Sequence, residues 1–106
     1  MYCWRRVGSQ LMANDTGTAT LDFGTGSCEA SAVITGEGSI LATSKVEAYI
    51  MGSDSTSDHT ASDHQYVRLW LALTCGTPIV ATGFTIYGRS TEQLKGTFQV
   101  RWVWSD

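Results

Sequence analysis

Charge is scarce in this chain of 106 residues: charged side chains make up 16% of it, against roughly 25% in a typical soluble domain. Basic residues are the rarer sign, 7 Lys and Arg against 10 Asp and Glu, which withholds the positive field that supplies most nucleic-acid affinity. Nucleic acid is therefore not an expected partner. No apolar run approaches the roughly 18 residues needed to cross a bilayer, since even residues 67–73 are interrupted by Arg68, so no membrane span is expected. The first thirteen residues carry Arg5 and Arg6 but lack the apolar run of about 7 to 15 residues of a secretory signal, so no export signal is read there. Cysteine is sparse and odd in number: Cys3, Cys28 and Cys75 contain no Cys-x-x-Cys pair and specify neither a zinc site nor an internal disulfide framework. An unpaired thiol can still link neighbouring chains outside a cell, and Cys3, in a terminal segment, is the candidate for that.

Catalytic vocabulary is equally thin. The chain has two histidines, His59 and His64, both in one polar stretch, and no G-x-S-x-G elbow to supply a nucleophile. The fragments Gly24-Thr25-Gly26 and Gly36-Glu37-Gly38 lack the third glycine and the helix of a dinucleotide loop, and read as turns. No enzyme activity and no cofactor are expected. The densest polar cluster is Asp54, Asp58, His59, Asp63 and His64, and Asp and His are metal-ligand types. Ordinary turn and solvation chemistry accounts for such a loop equally well. No metal is expected, and Asp58, His59, Asp63 and His64 are the residues that would hold one.

What the chain has in abundance is alternation with period two, the mark of strands buried on one face. Ala19, Leu21 and Phe23 alternate with polar residues, then Ala30, Ala32 and Ile34, then Val46, Ala48 and Ile50. Residues 52–64 are almost free of apolar side chains and read as a surface loop. Alternation resumes over residues 66–73, with Val67, Leu69, Leu71 and Leu73 opposite Tyr66, Arg68 and Trp70. It stops at the only proline, Pro78, and a short run at 79–81 leads into a strand over 84–87. Residues 88–93 look like a turn, and the closing strand sets Phe98, Val100, Trp102 and Trp104 on one face. A single helical turn is conceivable only near 58–65 or 91–94. Six or seven short strands without intervening helices predict an all-β, single-domain β-sandwich, jelly-roll or Greek-key like, over residues 17–106. Residues 1–16 form a separate N-terminal extended arm, tipped by Cys3, Trp4, Arg5 and Arg6.

Tyr49, Tyr66, Arg68 and Trp70 fall opposite their strands' aliphatic rows, and Tyr, Trp and Arg are the types enriched in subunit interfaces. With the arm tip they form the expected interface set. A second reading of the aromatics, Tyr49, Tyr66, Trp70 and Trp102 as a platform for sugar rings, makes the chain a carbohydrate-binding module. The segments Leu21-Asp22-Phe23-Gly24, Ala32-Val33-Ile34-Thr35-Gly36, Ser44-Lys45-Val46-Glu47-Ala48, Asp58-His59-Thr60-Ala61-Ser62-Asp63-His64, Gly83-Phe84-Thr85-Ile86-Tyr87 and Gly96-Thr97-Phe98-Gln99-Val100-Arg101-Trp102-Val103-Trp104 resemble a family of small structural proteins of tailed bacteriophages and prophages. The resemblance covers residues 18–104, is most specific in the closing Trp102-Val103-Trp104, and carries no catalytic residue. It implies a virion head or tail protein, assembled in the bacterial host cytoplasm. Together with the polar β pattern, it leads to the expectation of a capsid decoration (cement) protein, a homotrimer bound to the major capsid protein or other virion proteins. A tail, neck or fibre component is the alternative within the virion.

Overall fold

The alternating pattern becomes six strands. In the computed structural model, which describes residues 13–106, these are β1 (Asn14–Asp22), β2 (Ser27–Ile34), β3 (Lys45–Tyr49), β4 (Leu71–Cys75), β5 (Phe84–Leu94) and β6 (Thr97–Ser105). One short helix, α1 (Ala61–Val67), precedes β4. The strands form two three-stranded antiparallel sheets, ordered β1-β6-β3 and β2-β5-β4. The chain is thus mostly β, as its periodicity predicts.

The central strands β5 and β6 follow one another through Lys95 and Gly96, yet lie in different sheets. Gly96 takes φ 75° at that crossing, a left-handed conformation that glycine adopts without strain. Every second residue of β6 is buried, namely Phe98, Val100, Trp102 and Trp104, and β5 answers with Phe84, Ile86, Gly88 and Ser90. The two rows meet: the Phe84 and Trp102 rings pack edge to face with centroids 5.4 Å apart. Leu21 of β1 reaches across to the bare backbone of Gly88, where an added Cβ would lie 2.7 Å from its Cδ1. Leu21, Ile40, Ile86 and Val100 complete the dry centre, and burying side chains of this size is worth about 1.5–3 kcal/mol each.

Several expectations are corrected. Residues 66–73 are not one strand: α1 ends at Val67, a turn carries Arg68 to Trp70, and β4 starts at Leu71, leaving Leu69 73% exposed. The helix wins because Thr60 and Asp63 form a reciprocal capping box at its N-terminus. Residues 88–93 are not a turn but the second half of β5, where Gly88 and Ser90 are small because they face inward. The short apolar run 79–81 does lead into β5, but it lies in an exposed turn and not in the core. The polar stretch 52–64 is not wholly superficial, since Asp54 and His64 are buried. The arm's inner boundary moves as well, because residues 14–16 pair with β6 at Ser105, Trp104 and Val103.

Candidate functional site

The Asp-His cluster has a structural task. Strand β3 stops opposite Arg101, so the edge of β6 beyond that point would expose unpaired backbone groups. Residues 54–64 fill the gap: His64 Nε2 accepts the Gln99 N–H at 2.9 Å, Asp58 Oδ2 accepts the Thr97 N–H at 3.0 Å, and the Thr56 hydroxyl donates to the Thr97 carbonyl at 2.9 Å. Acceptance at Nε2 requires the neutral ring protonated at Nδ1, which donates to the Thr60 carbonyl at 2.9 Å. Both nitrogens of His64 are committed.

His59 is held as firmly. Its Nδ1 lies 3.1 Å from Asp63 Oδ2 and its Nε2 2.6 Å from the Lys95 carbonyl, two acceptors that a doubly protonated ring satisfies together. The ring stacks on Phe98 with centroids 4.1 Å apart. The hydrogen bond from His59, followed by the Thr60 backbone N–H, holds the Asp63 carboxyl below the usual aspartate range. Asp54, 4% exposed, accepts from Arg101 Nη2 at 2.7 Å and Nε at 3.1 Å. Among the described residues no group of three or more His, Cys, Asp or Glu side chains is arranged to hold a metal ion. Asp58, His59, Asp63 and His64 are instead consumed in closing the fold.

The expected aromatic set divides. Trp102 is 5% exposed and lies against Gly17, so it offers no platform, and Trp70 is half-buried against the core. Tyr49, Tyr66 and Arg68 remain exposed. Tyr49 and Arg68 line one shallow depression of about 210 Å³ with Leu71 and Leu73. The Gln65 side-chain amide donates to the Gly52 carbonyl at 3.1 Å, which pins α1 beside Met51. One flank of the molecule, where β3 and β4 are both edge strands, therefore presents Tyr49, Met51, Tyr66, Arg68 and Leu69.

A second exposed apolar set lies at one end. The turn at 79–83 is tied to the loop after β2 by Ala81 N–H to the Ile40 carbonyl at 3.0 Å and Glu37 N–H to the Thr82 carbonyl at 3.0 Å. Ala81 adopts φ 57°, a conformation costly for a residue with a Cβ, and the turn it closes leaves Ile79 and Val80 facing solvent. Leu41 and Val33 are exposed at the same end. β1 also starts here, with the Ala13 N–H bonded to Asp106 Oδ2 at 3.1 Å, and Asp106 Oδ1 accepts from the Ser44 hydroxyl, which in turn accepts the Leu41 N–H. Cys3, Trp4, Arg5 and Arg6 lie outside the described residues. Of the other thiols, Cys28 is exposed, while burial and then the nearby Glu47 charge push the Cys75 thiol above its ordinary value and make it a poor nucleophile.

A further concavity lies elsewhere, a groove of about 720 Å³ on the outer face of the β2-β5-β4 sheet, around Tyr87 and Arg89. Tyr87 ends the strand read over 84–87, but Arg89 was hidden because 88–93 reads as a turn, although the period of two from Phe84 puts both on the outward row. Compared with protein-family models, with curated proteins and with solved structures, the chain matches none.

Proposed function

We propose that this chain is a virion structural protein of a tailed bacteriophage, a non-enzymatic capsid decoration protein with a β-sandwich body of jelly-roll or Greek-key type. The protomers associate side by side as a trimer through the flank carrying Tyr49, Tyr66, Arg68 and Leu69. The end carrying Val33, Leu41, Ile79 and Val80, together with the N-terminal arm, grips the major capsid protein. The supporting observation is that, among the described residues, the exposed large apolar side chains other than Tyr87 fall into two sets, one on the flank and one at the end where β1 begins. A decoration protein needs both, one surface for its own copies and one for the shell. Apolar area of this kind stays dry only when covered by a partner. Many weak grips summed over a shell then resist opening far more than any single one.

Cosedimentation with heads of a phage or prophage encoding this chain tests the assignment. The parent is expected to bind at a saturable stoichiometry. Ile79→Asp/Val80→Asp, altering only an exposed turn, is expected to lose binding while keeping its fold by circular dichroism. Binding to tails alone, or undiminished head binding by the double variant, overturns the reading.

A further inference from the structure

The outer face of the β2-β5-β4 sheet is neither apolar like the flank and the end nor charged like a nucleic-acid site. Register sets its composition. On the central strand Tyr87 is flanked by Ser31 of β2 and Thr74 of β4, and Arg89 by Glu29 and Ala72. Residues two apart on a strand share a face, so Tyr87 and Arg89 stand side by side. Ser31, Ala72 and Thr74 are short, and the Tyr87 ring, Arg89 and Glu29 line the groove beside them. The ring is positioned rather than free: Gly76 lies so close that an added Cβ would sit 3.3 Å from Tyr87 Cε2. Tyr87 is nonetheless 50% exposed.

We propose that this groove binds a neutral oligosaccharide, with a sugar ring stacked on Tyr87 and its hydroxyls hydrogen-bonded to Arg89 and Glu29. Three features select that chemistry. The axial C–H groups of a pyranose are apolar and faintly positive, which suits the negative face of an aromatic ring. Arg89 and Glu29 form a solvent-exposed ion pair, so the guanidinium presents spare donors and the carboxylate spare acceptors, the combination that vicinal hydroxyls require. Their charges cancel, which removes the reason for an anion to bind. A groove of about 720 Å³ falls within the roughly 300–1,000 Å³ of ordinary ligand sites. A protein partner is disfavoured because the exposed large apolar residues near this face are few, Tyr87 and, at its far end, Val33. The inference stands apart from the virion assignment: a glycan-binding face on a particle would hold it at a cell or mucus surface, and the same groove would serve an isolated module.

The test uses the full chain and four probes, maltotriose, cellotriose, chitotriose and mannotriose, each at millimolar concentration, read by amide chemical shifts. At least one probe is expected to shift the amides of Ser31, Thr74, Tyr87 and Arg89. Tyr87→Ala is expected to weaken that probe about tenfold or more, and Tyr87→Phe to retain it. Thr18→Ala, at an exposed position of β1 in the other sheet, is the control that binds as the parent does. No shift with any of the four probes, equal binding by Tyr87→Ala, or shifts centred on Tyr49 and Tyr66 overturns the proposal. So does a fall in solution mass on Tyr87→Ala, which would make this face a contact between copies.

Discussion

Of the buried polar side chains Ser44, Asp54, His64 and Ser90, the two ionisable ones are tolerated because each is fully matched. His64 is 0% exposed, with one nitrogen donating and the other accepting, and Asp54 is covered while holding Arg101. An unmatched buried polar group costs roughly 1–3 kcal/mol, so neither site tolerates loss of its partner cheaply. Asp63 sits at the rim of the same cluster and links it to pH. Because His59 and the Thr60 N–H favour its charged form in the folded state, its carboxyl is depressed relative to the unfolded chain. The folded state therefore gains stability from Asp63 above the ordinary aspartate range and loses it as pH falls through the depressed value. Denaturant midpoints of the parent and Asp63→Asn measured from about pH 7 down to about pH 2 are expected to differ at neutral pH and to converge in acid. A constant gap across the acid range would show that Asp63 contributes through packing alone. Glu37 runs the other way. The Trp104 indole N–H at 2.8 Å favours its charge, but loss of water and the neighbouring Asp15 carboxyl outweigh that bond, so its pKa is raised. Its contribution falls as pH rises through the range above the ordinary glutamate value.

At the scale of elements, the strands were legible wherever alternation was unbroken. Leu21 and Phe23, the inward residues of β3 and the whole inward row of β6 are where period two puts them. Two elements were hidden by the same rule. β5 disguises its second half because Gly88 and Ser90 carry little apolar signal, yet their smallness is what lets Leu21 approach from the facing sheet. α1 is disguised because Val67, Leu69, Leu71 and Leu73 happen to alternate. The local signal that separates helix from strand there is Thr60-x-x-Asp63, whose two side chains and backbones satisfy each other. Gly17 is the element-level counterpart of Gly88. It pairs with Trp102, and an added Cβ would lie 2.5 Å from the indole, so the large ring occupies the space the glycine leaves. Gly17→Ala forces the indole off its place and is expected to cost about 1–3 kcal/mol in chemical denaturation, with Thr16→Ala next to it costing less. A neutral Gly17→Ala would mean that β1 shifts freely against β6.

For the whole molecule, the sequence located only part of the exposed surface on which the proposed binding rests. Tyr49 was legible as outward, because it falls opposite Val46 and Ala48 on β3, whereas Tyr66 and Arg68 are exposed on a helix and a turn and not on the strand their alternation suggests. Trp102 fell on the inward row of β6, as period two puts it, but Trp70 was not legible as inward, because an indole suits both settings and its position follows a turn rather than a strand. The end patch was hidden because Leu41, Ile79 and Val80 look like core residues, and it takes the left-handed Ala81 to turn 79 and 80 outward. In the arrangement proposed above a flank meets sister protomers, an end meets a shell, and an outer sheet face remains open. The flank is the part on which the others depend, since a ring of protomers sets how many ends and grooves face the same way. Light scattering of the full chain in reductant, for the parent and for Tyr66→Ser/Leu69→Ser, is the most direct measurement. The parent is expected at three times the 11.5 kDa of one chain and the double variant, altered only at exposed positions, at 11.5 kDa. A parent that stays at 11.5 kDa at every concentration, or a double variant as heavy as the parent, would contradict the account.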